Sequence, residues 1–364
     1  MQWGGLGEER CRSPPVRCVG RARGARRRRR ANDECSGGAW GRSGAAPPQL
    51  EQLEWHEVLI QQTVNGVTRG AVFALIALGY TMVYGIIGLI NFAHGDVFML
   101  GLFISLSYFA LLGMATTLHG WHLVTVLPLV FLATMLTTGA INVAIDRVAY
   151  RPLRHAFRLA PLITAIGVSF MLENLALIWK GPAPIAYPDL FPSVDILREW
   201  IGVESLLFIT TKDILVLATT IPLMVALQYF VTRTRWGKAM RATAQDKETA
   251  LAMGIDVEKT IILTFFIGGA LAGAAGIIQG LYYNIGMWWM GYQAGLRAFT
   301  AAVLGGIGSM PGAALGGLVI GFLSAWSDQY ISARWTNALV FAILILVLVF
   351  RPQGLLGERV PDKA

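Results

Sequence analysis

Nine apolar segments follow one another through this chain, and they restrict its fold more than any motif does. They are Gly70–Ile90, Val97–Gly113, Leu123–Ile145, Pro161–Trp179, Ile214–Val231, Thr260–Tyr282, Ala294–Ile307, Pro311–Trp326 and Thr336–Phe350. A helix needs about 20 predominantly apolar residues to cross the hydrocarbon core. Lipid offers no partner for a free N–H or C=O, so such segments must be helices that satisfy their own backbones. The chain is therefore expected to be an all-α polytopic membrane protein with eight to ten transmembrane or half-membrane helices. Composition agrees: 55% of the 364 residues are hydrophobic and only 14% are charged, with mean hydropathy +0.55. A soluble domain of this size needs a charged surface that is missing here. Val58–Thr68 would add a short or interfacial helix ahead of the first span. Ala294–Ile307 is short and glycine-rich enough to be a half-helix.

The net charge of +8 belongs almost wholly to one end. Residues 1–50 hold eleven arginines and four acids, a surplus of +7, which leaves +1 for the other 314 residues. All three cysteines (Cys11, Cys18 and Cys35) lie there too. The remaining chain therefore has no disulfide, thiolate nucleophile or cysteine metal site. Three readings suit such a tail: an arm for RNA or anionic lipid, a transit peptide, or disordered sequence from a start placed too far upstream. We take the last, so no nucleic-acid partner is expected. The membrane domain then spans residues 58–351, followed by a tail at 352–364.

Basic residues in short loops set orientation. The loop Asp146–Ala160 carries Arg147, Arg151, Arg154 and Arg158 against one acid. The window 233–259 carries Arg233, Arg235, Lys238, Arg241, Lys247 and Lys259. Both are placed in the cytoplasm, and the acid-rich loop Lys180–Asp213 outside. Three spans before the first cytoplasmic loop put the start of Gly70–Ile90 outside. Either Val58–Thr68 begins an extra crossing, or the basic tail is not native.

Small residues at four-residue spacing let helix backbones approach closely in lipid. The pairs Gly269/Gly273, Gly276/Gly280, Gly312/Gly316 and Gly317/Gly321 are read as packing faces.

Polar groups inside apolar stretches call for an explanation, because a charge at mid-bilayer costs about 2.5–3.5 kcal/mol on insertion scales. The run Asn91–Asp96, with His94 inside it, is either a plain surface turn or a break at membrane depth beside a cavity. Metal binding by His94 is disfavoured, since no His or Cys lies at ligand spacing. Glu173 and Asn174 fall within Pro161–Trp179, where a helix-interior hydrogen bond or a place near the outer mouth would accommodate them. Arg297 precedes a glycine-rich break, Gly305, Gly306 and Gly308, of the kind that interrupts transporter helices. Asn91, His94, Asp96, Glu173, Arg297, Gly305, Gly306 and Gly308 are the candidate lining of a translocation path. The chain has no G-x-x-x-x-G-K-[ST] phosphate loop and no nucleophile–base constellation, so an enzyme is not expected.

The window 233–259 is too long and too helix-like for a simple turn. Thr243–Met253 holds good helix formers, with Asp246 available as N-cap and Gly254 at the position that favours positive φ, so the window is expected to form a short helix ended by Gly254. Its Ala, Leu and Met residues suit docking on a partner; a solvated loop is the alternative.

These features together resemble the permease subunits of bacterial ABC importers for branched-chain amino acids, the LivH type. The similar text covers about residues 59–357. It includes VNGVTRGAVFALIALGYTMVYGIIGLINFAHGD at 64–96, DRVAYRP at 146–152, RATAQDKETALAMGI at 241–255, FTAAVLGGIGSMPGA at 299–313 and RPQGLLG at 351–357. The resemblance implies a bacterial inner-membrane protein that pairs with a second, homologous permease. Two cytoplasmic ATPase subunits would hold the ATP and Mg, and a periplasmic binding protein would deliver substrate. It assigns Arg241, Ala242, Asp246, Ala250 and Gly254 to the coupling loop that seats on the ATPase, although a strict Glu-Ala-Ala triplet is absent. Leucine, isoleucine or valine is the expected substrate. The alternatives are urea, short amides or other amino acids within the same family, and, in another class, a stand-alone secondary transporter or channel.

Overall fold

The computed structural model describes residues 55–88, 91–113, 121–154, 156–157, 159–190, 193–194 and 208–357, with backbone only for 121–124. The basic tail, much of the outer loop and residues 358–364 lie outside the described residues. The long helices are α1 (Trp55–Ile87), α2 (Ala93–Leu111), α3 (Trp121–Ile145), α4 (Leu159–Lys180), α5 (Thr211–Arg233), α8 (Val257–Tyr283), α9 (Met290–Gly305), α10 (Met310–Ser327) and α11 (Thr336–Phe350). Two short helices, α6 (Arg235–Gln245) and α7 (Lys247–Ala252), occupy the polar window. Among the described residues, seven segments are long and apolar enough to cross a membrane by length and composition.

Val58–Thr68 is neither a separate crossing nor a separate helix. It forms the first turns of α1, a continuous helix of 33 residues. At 1.5 Å per residue α1 is about 50 Å long, well beyond a core of about 30 Å. Nothing in Val58–Thr68 breaks a helix: Asn65 bonds within it to Gln61 and Gln62, and Thr68 Oγ1 donates back to the Val64 carbonyl. By contrast, α9 has 16 residues, or about 24 Å, and is too short to cross alone.

Two helices form the centre. The apolar windows of α1 and α8 are 83% and 78% buried, against 28%, 33% and 22% for the windows built on α3, α4 and α5. The centre is therefore α1 and α8, with α3, α4 and α5 around it. The glycine pairs lie in the seams. A Cβ at Gly317 or Gly321 would overlap the α1 backbone at Ala74 or Gly70. One at Gly276 would overlap α2 at the Phe98 carbonyl, and one at Gly269 would lie 2.7 Å from the Thr138 carbonyl of α3. Gly273 faces Thr138 and Gly280 faces the Tyr187 ring, while Gly312 and Gly316 face Gly305 and Ala301 of α9. In lipid, where apolar surface gains nothing by leaving the solvent, this close approach supplies the attraction through dispersion.

The two basic loops meet at one end. Arg151 and Arg154 both pair with Glu258, at 2.8 Å each. Taking that end as cytoplasmic, α1 starts outside and α2 starts from the inner side. The outer end is tied by a two-residue antiparallel pair, β1 (Ile185–Ala186) with β2 (Ile285–Gly286). Lys212 locks it by reaching Asn284 Oδ1 at 2.6 Å and Asp189 at 2.8 Å.

Gly317→Leu is expected to destabilise the protein by about 1–3 kcal/mol through overpacking against α1. Gly167 has open space around its Cβ position, so Gly167→Ala should be neutral or stabilising by about 0.5–1 kcal/mol. Thermal unfolding of the purified protein in detergent measures both; equal effects would refute the seam assignment.

Candidate functional site

The polar window folds as two helices rather than one. Thr234 turns the chain out of α5 and caps α6, its Oγ1 accepting from the Gly237 amide at 3.0 Å. Asp246 then breaks the path: its extended backbone ends α6 and begins α7. Its carboxylate accepts from the Glu248 amide at 3.0 Å and from Thr249 Oγ1 at 2.8 Å. Thr243–Gln245 thus belong to α6. The expected short helix, capped by Asp246 and stopped by Gly254, is α7; α6 before it is an additional helix, and it ends at Asp246 because a residue that caps the next helix cannot also continue the last. At the far end the Gly254 amide donates to the Leu251 carbonyl and the Ile255 amide to the Ala250 carbonyl, each at 3.0 Å. That is a Schellman closure, and it requires the positive φ of Gly254, +83°.

These caps decide which side chains face outward. Gly237, Met240, Thr243 and Ala250 face the protein. Ala250, one of the residues assigned to the coupling loop, is only 3% exposed and packs beneath α7. Arg241 donates through Nη1 to the Val231 carbonyl and braces α6 against α5. Ala242 is half-buried. The outward apolar surface is instead Trp236, Leu251 and Met253, the last two 64% and 78% exposed, together with Ala252 and Gly254.

An ionic hub holds this platform. Past α3 the chain makes a π-helical turn, Asp146–Tyr150, and then a 3₁₀ turn, Arg151–Leu153. The extra residue in a π turn re-aims side chains. Here Asp146 is fully buried and pairs with Arg154 at 2.7 Å through both oxygens. Arg154 reaches Glu258 with its other nitrogen. The Lys259 amide, then its ammonium, hold the exposed Asp256 carboxyl below its usual range, and Asp256 caps α8. Lys247 Nζ donates to the Ile87 carbonyl at 3.2 Å and ties α7 to the end of α1. Sequence reasoning counted Arg154 only as a loop charge; its spacing carries no sign of the partners at 146 and 258.

The candidate path residues fall into three places. Asn91, His94 and Asp96 are buried, at 5%, 0% and 0% exposure, so they do not form a surface turn. His94 and Asp96 belong to the first turn of α2. Asn91 accepts from Tyr150 Oη at 2.6 Å and lines a recess of about 20 Å³ with Arg154 and Phe265. The His94 ring lies edge-on to Tyr80 at 4.8 Å. Ser169 of α4 donates to Asp96 Oδ2 at 2.5 Å, and Glu173 follows one turn along α4, within electrostatic reach of Asp96. His94 and Asp96 are enclosed by α1, α4, α8 and α9. Asn174 bonds back to the Phe170 carbonyl at 2.7 Å, as a helix-interior residue does.

Gly305, Gly306 and Gly308 form the inner hairpin between α9 and α10. Gly306 has φ +109°. The C-terminal Leu355 and Leu356 amides cap the Leu304 and Gly305 carbonyls at 2.9 Å each. Gly306 and Gly354 face each other, so RPQGLLG closes the end of α9. Arg297, midway along α9, turns its guanidinium away from both groups to Asn337 at the start of α11.

The family described as branched-chain amino acid transport system / permease component matches residues 62–348. The chain is 44% identical over 307 residues to the high-affinity branched-chain amino acid transport system permease protein LivH of Escherichia coli (strain K12), covering 84% of this chain and 97% of that one. It is 43% identical over 305 residues to the corresponding protein BraD of Pseudomonas aeruginosa, with the same coverage. Over 140 residues, 35% of this chain and 41% of the relative, it is 29% identical to a probable permease protein LivM of Methanocaldococcus jannaschii. No solved structure matches the chain.

Arg154→Ala would leave Asp146 buried without its counter-charge and is expected to cost about 3–5 kcal/mol. Glu258→Gln alters a half-exposed pair and should cost at most about 1 kcal/mol. Urea or thermal unfolding in detergent ranks the two, and the reverse order would contradict the hub.

Proposed function

The chain belongs to the permease component family of branched-chain amino acid transport systems, and from that premise we propose that it is the membrane-path subunit of an ATP-driven importer for leucine, isoleucine and valine. It lies in a bacterial inner membrane and encloses the path together with a second, homologous permease. Two cytoplasmic ATPase subunits carry the ATP and Mg, and a periplasmic binding protein delivers the amino acid. This chain contributes a path and a lever, not chemistry.

The observation that carries this reading is the platform of α6 and α7. It presents Trp236, Leu251 and Met253 to the cytoplasm, an expensive exposure for apolar side chains unless something covers them. At the same time its caps and the Arg154 hub hold it rigidly to α1, α3 and α8. Closure of the ATPases pushes on α7. The push passes through Lys247 to the end of α1 and through Glu258 and Arg154 to α3. Because the glycine seams keep these helices in backbone contact, they move as packed bodies and not as independent rods.

Co-purification tests the assignment. The double change Leu251→Asp and Met253→Asp should abolish capture of the ATPase subunits and lower ATP-dependent leucine uptake at least tenfold. Both side chains are exposed, so the purified permease should unfold at an unchanged temperature. Uptake that continues after removal of the ATPases would point to a self-contained transporter and overturn the proposal.

A further inference from the structure

Arg297 has its charge in place without an acid to answer it. Nε and Nη2 both donate to one neutral acceptor, Asn337 Oδ1, at 3.0 and 2.9 Å. The guanidinium forms no ion pair among the described residues. The nearest acid, Asp328, is already engaged: Arg69 Nη1 holds Oδ2 at 2.6 Å and Thr336 Oγ1 holds Oδ1 at 2.5 Å. Arg69, Asp328 and Tyr283 surround Arg297 within electrostatic reach. Among the three charges, Arg69, Arg297 and Asp328, one positive charge is left over.

The cluster also sits at an informative depth. Arg69 lies eighteen residues before the inner end of α1 at Ile87, about 27 Å along the helix. That places it at the outer edge of a core of about 30 Å. Asn337, Tyr292 and Gln293 are exposed at the chain's surface, and Arg297 itself is half-buried. A partly desolvated arginine at the membrane boundary calls for a partner, and a planar guanidinium suits a carboxylate in two-point contact.

We infer that Arg297, positioned by Asn337, receives the α-carboxylate of the amino acid at the outer mouth of the path. This rests on the importer reading above and adds a residue and a recognised group to it. Asn337 orients the fork, while Arg69 and Asp328 neutralise each other and leave Arg297 free to bind. The aliphatic side chain of the substrate makes no demand on this cluster, so Arg297 serves any α-amino acid and does not select among them.

The test replaces a neutral acceptor with a charged one of the same shape. Asn337→Asp supplies Arg297 with a permanent carboxylate and should leave assembly intact. The full complex, reconstituted with its binding protein, is assayed for labelled leucine uptake and for ATP hydrolysis stimulated by the loaded binding protein. Expected is an uptake loss of tenfold or more with hydrolysis retained, and a similar loss in Arg297→Gln. Wild-type uptake in Asn337→Asp would overturn the inference. So would a parallel fall in uptake and hydrolysis in Asn337→Asp, which would mark the cluster as structural or as an anchor for a lipid headgroup phosphate. If the wild-type complex itself shows no ATP-dependent uptake, it is the importer reading that fails.

Discussion

Backbone contact at glycine is the constraint on which the rest of the structure depends. Ala74 and Gly70 of α1 lie directly on Gly317 and Gly321 of α10, and Gly276 of α8 lies on the α2 backbone at Phe98. Between lipid and protein the hydrophobic effect offers no net drive to bring helices together, so dispersion at short range must supply it. Any side chain in these seams would separate the helices and forfeit that attraction. The seams also explain how α1 can carry so much: its backbone lies against α10 at Gly66, Gly70 and Ala74.

The cytoplasmic end builds on that rigidity. The window between α5 and α8 would be a soft connection if left to itself. Three local devices stiffen it: the Thr234 cap, the double role of Asp246 and the Gly254 closure. Long-range charges then fasten it, through Arg154 to Asp146 and Glu258 and through Lys247 to the end of α1. The buried Asp146–Arg154 pair is costly to desolvate and justifies its place by geometry, joining three elements at one point. The exposed apolar edge of α7 is therefore presented by a frame and not by a loop.

Local features proved legible and distant ones did not. The Asp246 cap and Gly254 stop could be read because both depend on neighbours within a few residues. The short helix between them is α7, whereas α6, which ends at the same Asp246, was not singled out. Ala250 belongs to the coupling loop by resemblance, but that it lies buried beneath α7 depends on what packs against it. Asn91, His94 and Asp96 stood out as polar residues among apolar ones, but no sequence signal separates a turn from an enclosed junction. The carboxyl of Asp96 meets Ser169, 73 positions away, and the side-chain oxygen of Asn91 accepts from Tyr150, 59 positions away.

By itself the sequence determined the all-helical membrane class, the grouping of the two basic loops and the spacing of the packing glycines. It also determined the caps of the cytoplasmic window. Each of these follows from helix periodicity, from the length of an apolar run or from the cost of moving a charge across lipid, and none needs to know what lies opposite. Only the tertiary structure decided that α1 and α8 are central, that Arg154 is a hub, that RPQGLLG closes α9, and that Arg297 is matched to an amide while its neighbouring acid is engaged elsewhere. Those outcomes depend on pairs of groups brought together from distant parts of the chain. Their energies exist only once the helices are packed.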